Sequence, residues 1–205
     1  SKGITVDAGE RITDIDIENS KKIADAYDKM ESNPNDPEVK AAYNAMANET
    51  VDQFKYLIDN GYTVELYDGK TEPYKNSEEM LKDLRDNKHL YVFSTEEGFG
   101  DTPITEKDRQ ENPLLKDSGF TDKNGKKLLI NDAFRFVHDI FGHGERGNSF
   151  GAKGEENAWD VHSRMYSPEA RRAMTTETRG QNSWVNFNKG MRNENGSIKK
   201  KGDEG

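Results

Sequence analysis

The 205-residue chain contains no cysteine. This excludes disulfides, thiolate zinc sites, iron–sulfur clusters and cysteine nucleophiles, and it leaves His, Asp and Glu to hold any metal. Long hydrophobic runs are also missing. Apolar residues make up 31% of the chain against 34% charged residues, mean hydropathy is -1.08, and no stretch approaches the roughly 20 apolar residues of a membrane-spanning helix. Excess positive charge is lacking as well. A net charge of -9 repels nucleic acid and anionic lipid at long range, and no basic patch dominates the chain, so there is no strong nucleic-acid signal. Ser1–Glu10 shows no basic, apolar leader. The expectation is a soluble, cytoplasmic protein with no membrane partner.

The thin apolar content sits near the level at which ordering entropy is hard to offset, so loose ends and a homo-oligomer or larger assembly are expected. Lys189–Gly205 carries one Ile and one Met among Gly, Asn and Lys, and reads as a flexible tail. The spacing predicts a helix over Ile17–Glu31, stopped by Ser32-Asn33-Pro34-Asn35, and a second from Pro37 to about Asn60, capped by Asp36 and ended by Gly61. Tyr62–Tyr67 and His89–Ser94 read as strands, with a helix capped by Ser77 between them. Thr95–Asn131 is rich in turn residues, with a tight turn at Asn124-Gly125 and a buried run at Leu128–Ile130.

A helix from about Asn131 then carries Phe134, Val137, Ile140 and Phe141 inward until Gly142. Further helices are expected over Glu155–Tyr166 and from Pro168, capped by Ser167, to about Thr178. The class is α+β, mostly helical with a few short strands, in a single domain. Residues 1–130 form its N-terminal mixed part, 131–188 a metal-site helical part and 189–205 the tail.

Composition changes in the second half. Three of the four histidines lie at 138, 143 and 162, and Asn131–Asn188 holds six arginines against one lysine. Arginine's rigid fork suits two-point contact with carboxylate or phosphate. Arg135 and Arg179 are therefore candidate substrate anchors, while pairing with Glu155, Glu156, Asp160 and Glu169 along helix faces would account equally for this arginine set. Trp159, His162 and Tyr166 form a helical stripe that reads as core, with His162 or Glu156 alternatively orienting a ligand imidazole. Gln181, Asn182 and Trp184 place donors beside an aromatic ring, a candidate cradle for a planar polar ligand or a capping loop.

The string Val137-His138-Asp139-Ile140-Phe141-Gly142-His143-Gly144 carries the sharpest signal. Residues five apart on an ideal α-helix point roughly 140° from one another, so a straight helix cannot aim both imidazoles at one ion. A bend at Gly142 would let His143 swing beside His138. Glu177, 34 residues after His143, is the candidate carboxylate that completes the set. Two imidazoles and one carboxylate leave open positions on an octahedral ion, as oxygen activation at iron(II) requires, and zinc can use the same ligands. Ligating imidazoles must be neutral, so the ion is expected to be released below about pH 6.

His138-Asp139-Ile140-Phe141-Gly142-His143 with Glu177 resembles the iron site of the pterin-dependent aromatic amino acid hydroxylases, whose signature is His-(Asp/Glu)-x-x-Gly-His with a later glutamate. The resemblance implies Fe(II) held by His138, His143 and Glu177, and hydroxylation of a small polar or anionic substrate, with the reductant unspecified. The strings around Val137–His143 and Thr175–Phe187 are also similar to uncharacterised proteins of tailed bacteriophages, which implies a location in host cytoplasm or virion. Two other readings stand beside the oxygenase. One is a non-catalytic module of a phage assembly with a structural metal or polar core network. The other starts from the His138-Asp139 pair, which resembles HD-type metal-dependent phosphohydrolases, with His89 and Asp160 as the remaining ligands.

Overall fold

Asp36 and Pro37 launch the longest helix among the described residues. The Asp36 carboxylate accepts from Glu38 N (2.8 Å) and Val39 N (3.2 Å), and Pro37 supplies the fixed φ suited to a first helical residue. The helix, α2 (Pro37–Asp59), follows α1 (Ile17–Asp28) and stops at Asn60, where Gly61 takes φ +84°. In this computed structural model residues 12–31, 33–98, 102–144, 147–148 and 151–188 are described. The expectation of a loose tail at 189–205 lies outside them.

One face of α2 buries Ala42, Met46, Ala47, Thr50, Gln53, Phe54 and Leu57, the three- and four-residue spacing of a core stripe. Phe54 is fully buried and meets Phe120 and Phe136 edge-on, with ring centroids 5.1 and 5.4 Å apart. β1 (Thr63–Tyr67) and β2 (His89–Phe93) pair in parallel, with Thr63 opposite His89 and Tyr67 opposite Phe93, and α3 (Ser77–Asn87) is the crossover between them. Asn76, rather than Ser77, caps α3 by accepting from Glu79 N.

The stretch read as irregular over Thr95–Asn131 is more ordered than its composition suggests. It holds α4 (Thr95–Gly98), α5 (Glu106–Glu111), a 3₁₀ turn at Pro113–Leu115 and an antiparallel hairpin of β3 (Asp117–Thr121) and β4 (Lys127–Leu129). α5 opens on a capping box between Thr105 and Asp108, a Thr-x-x-Asp spacing that is visible in the sequence. Gly125 makes the hairpin turn at φ +84°, and the Asp122 carboxylate ties the hairpin to β1 by accepting from Leu66 N (3.1 Å) and Lys126 N (2.8 Å).

α6 (Ile130–His138) starts on a buried carboxylate: Asp132 accepts from Leu129 N, Thr95 N and Thr95 Oγ1. It runs without a break into a π-helical segment at Asp139–Gly144. α7 (Ala152–Ser163) begins three residues earlier than its spacing suggests, and α8 (Pro168–Thr175) is capped by Ser167 as expected. A second π segment at Thr176–Gly180 then leads into α9 (Gln181–Phe187), so the final helical path runs on past Thr178. α2 lies between α6 and α8, and α9 packs on α1. Of the described residues 63% are helical, and they include two small two-stranded sheets in one domain, the α+β class read from the sequence. Among the described residues no helix is long and apolar enough to cross a membrane.

Asp83 sits at the junction of α3 and β2, accepting from Tyr74 Oη (2.7 Å) and Asn87 Nδ2 (2.7 Å) and facing His89 Nδ1 at 2.7 Å. Burial alone would raise its carboxyl, but these bonds hold it below the ordinary 3.8. The carboxylate's contribution is therefore complete above pH 3.8 and drains away as the pH falls through the lower folded value. Urea midpoints measured from pH 5 to pH 3 should fall, and Asp83→Asn should show a shallower fall while costing about 1–3 kcal/mol at pH 7.

Candidate metal centre

The π segment solves the problem posed by the spacing of His138 and His143. Its wider turn closes hydrogen bonds five residues apart rather than four, so side chains five apart come onto one face. The two rings lie with centroids 5.3 Å apart, nearly perpendicular at 87°. Gly142 is needed here for closeness to α7 rather than for a bend. A Cβ on it would stand 3.0 Å from Ala158 Cβ and 3.1 Å from the Ala158 carbonyl oxygen, and backbone has little room to yield.

The carboxylate that meets the two imidazoles is Glu155 of α7. Its Oε2 lies 3.4 Å from His143 Nε2 and 3.7 Å from His138 Nε2. Potential ligand atoms of His138, His143 and Glu155 all fall within 4.8 Å of one another. Ligands about 2.0–2.2 Å from one ion stand roughly 3 Å apart at right angles, so small inward shifts close these three around a cation. Glu177, the expected ligand, is not in this group. Its carboxylate lies in the second π segment and accepts from Tyr43 Oη at 2.5 Å, so the spacing to a late glutamate picked the wrong acid.

Hydrogen bonds on the far side of each ring set the tautomers. His143 Nδ1 donates to the Asn148 carbonyl oxygen (3.1 Å), which leaves Nε2 to carry the lone pair. Asn148 holds this turn further by donating from Nδ2 to the Gly142 oxygen (2.8 Å) and from its backbone N to the His143 oxygen (3.1 Å). His162 Nε2 donates to Gln53 Oε1 (2.8 Å), so its Nδ1 accepts from His138 Nδ1 (3.1 Å) and turns the His138 Nε2 lone pair toward Glu155. His162 is thus both core and orienting group, packed among Phe134, Phe141 and Tyr166.

Electrostatics favour a cation at this point. Burial would raise the Glu155 carboxyl, but hydrogen bonds and charge from His138 and His143 hold it at about 2. Burial would lower His143, and Glu155 reverses this and raises it. Burial together with the neighbouring imidazoles pulls His162 well below its ordinary range, which keeps it neutral. The Asp139 carboxyl is raised by burial against the pull of both imidazoles, adding a second acid to the electrostatic surroundings.

The other candidate residues are engaged elsewhere. Arg135 donates to the Phe93 oxygen (3.1 Å) and lies over the Phe93 ring. Arg179 pairs with Glu156 and stacks on Trp159, 4.2 Å from its centroid. Both guanidinium groups are held by contacts within the fold, although Arg179 Nε is buried without a hydrogen-bond partner, and neither is among the residues that converge on His138 and His143. Trp184 donates from Nε1 to Asp28 Oδ1 and packs on Tyr27, Asn182 accepts from Asn186, and Gln181 is exposed at the start of α9. Trp184 thus belongs to the α1–α9 contact and Asn182 to bonds within α9, so the three do not gather into a ligand cradle. The phosphohydrolase set also fails to assemble: His89 Nδ1 faces Asp83 at 2.7 Å and its Nε2 lies 3.2 Å from Glu65, and Asp160 pairs with Arg164 on α7.

Two participants, Glu155 and Asn148, escaped the sequence reading. A signal for Glu155 was present, since Glu155, Ala158 and His162 stand at i, i+3 and i+7 on one helical face. No family model matches the chain, and comparison with curated proteins and with solved structures gives no match.

His162→Phe keeps a buried ring but removes the acceptor for His138 Nδ1. Affinity for a divalent ion, measured by titration of the metal-free protein, should fall about 10–100-fold, the range typical for loss of a group that orients a ligand.

Proposed function

We propose that the protein is a mononuclear metal enzyme in which His138, His143 and Glu155 hold one divalent ion, with Fe(II) as the metal and oxygen-dependent oxidation of a small polar or anionic substrate as the chemistry. The observation that carries this reading is the convergence of two Nε2 lone pairs on one carboxylate, with both Nδ1 atoms already committed to other partners. Three donors on one face, two imidazoles and one carboxylate, match the set used by non-haem iron oxygenases, where open positions receive dioxygen. The protein's own part is to fix both rings by their far-side hydrogen bonds and to supply the negative charge of Glu155. The hydroxylase-like string Val137–His143 points the same way, and a phage origin, in host cytoplasm or virion, belongs to the same proposal.

A structural ion, iron or zinc, is the second reading. It is favoured by the burial of His143, 1% exposed, and by the way an ion here would pin the π segment to α7. Protein reconstituted under nitrogen should hold close to one iron per chain by elemental analysis. Glu155→Gln and His143→Ala should each lower bound metal at least tenfold, whereas Glu177→Gln should leave it unchanged. Dioxygen uptake by the iron form supports the enzyme. Retention of zinc alone, with a raised melting temperature and no uptake, supports the structural ion. Unchanged metal in Glu155→Gln removes the site.

A further inference from the structure

Glu177 has no place in the metal centre, yet its setting is not that of an ordinary surface acid. It lines a cleft of about 810 Å³ bordered by α1, α2, α5 and α8, a volume within the range of small-molecule sites. Tyr43 donates to its Oε1, while Oε2 has no partner among the described residues. Burial raises the carboxyl, and the Tyr43 bond offsets this only in part. The side chain is half-buried on the cleft wall, so a cation seated there would meet a carboxylate charge that water screens only in part.

The protein does not bring one itself. The cleft wall carries six carboxylates against two cations, Lys40 and Arg172. Arg172 turns to Glu38 (3.5 Å) and Lys40 to Asn35 Oδ1 (3.1 Å). Around Glu177 the wall is aromatic and apolar instead. Tyr27 and Tyr43 both feel its charge, and Met30 and Val39 remain 53% and 38% exposed beside them. The Tyr27 ring is held in place from behind: a Cβ on Gly180 would lie 2.8 Å from its Cδ2, and Trp184 packs at 6.4 Å between centroids.

We propose that this cleft binds an organic ammonium ion with an apolar body, the charged head on Glu177 Oε2 and the body against Tyr27, Tyr43, Met30 and Val39. A charge-assisted hydrogen bond to a half-buried carboxylate and the attraction of a cation to aromatic rings act together on such a head group. The site is independent of the metal centre, and its test does not depend on metal content.

The test titrates the full chain, followed by NMR, with three probes of one length: n-hexylamine, n-hexanol and hexanoate. Hexylammonium should bind at least tenfold more tightly than hexanol and move the resonances of Tyr27 and Tyr43, and hexanoate should bind least. Glu177→Gln keeps the size of the side chain and an acceptor for Tyr43, and should reduce amine affinity at least tenfold while leaving hexanol unaffected. Equal binding of amine and alcohol by the unaltered protein would make the cleft merely apolar and overturn the proposal without recourse to any variant. So would absence of saturable amine binding, or an undiminished amine preference in Glu177→Gln.

Discussion

One close approach governs the candidate centre: the π segment at 139–144 lying flat on α7, with Gly142 against Ala158. The wider turn brings His138 and His143 onto a common face, and the absence of a Cβ at 142 lets α7 come near enough for Glu155 to reach both. These two requirements are separate in origin. The first concerns the number of residues per turn and the second the depth to which two backbones interlock, and neither alone would gather three ligands.

Around that contact the hydrogen bonds run outward in an ordered chain. Gln53 on the buried face of α2 fixes His162 on α7, and His162 fixes His138 at the end of α6. Asn148 does the same for His143 from the other side, using backbone and side chain together. Each ring therefore has one nitrogen committed to the protein and one turned inward. The arrangement is costly in buried polar groups and repays that cost only when each group finds its partner.

Much of this was legible in the chain. Asp36-Pro37 and Gly61 framed α2, Ser167-Pro168 opened α8, and Asn124-Gly125 marked the hairpin turn, because caps and turns depend on local chemistry that a few residues carry. The pair His138 and His143 was legible for a related reason, since lack of cysteine left few ligand types. The mechanism of their convergence was not. A π turn has no compositional mark, and the glycine that suggested a bend proved to serve helix packing. Glu177 was misassigned because separation along the chain says nothing about which of two acids faces the histidines, and that choice is made by the packing of α7 and α8. The short elements over 95–130 were hidden by their polarity. They are tied in by carboxylates such as Asp122, and Asp132 of α6, which organise backbone amides from distant segments.

α2 touches both regions discussed above. Tyr43 reaches Glu177 near its beginning, and Gln53 reaches His162 ten residues later, a span of about 15 Å at the rise of an α-helix. Both contacts lie inside one unbroken helix, so the hydroxyl that meets Glu177 and the amide that orients His162 keep a fixed separation along its axis, and neither is drawn along the helix without the other.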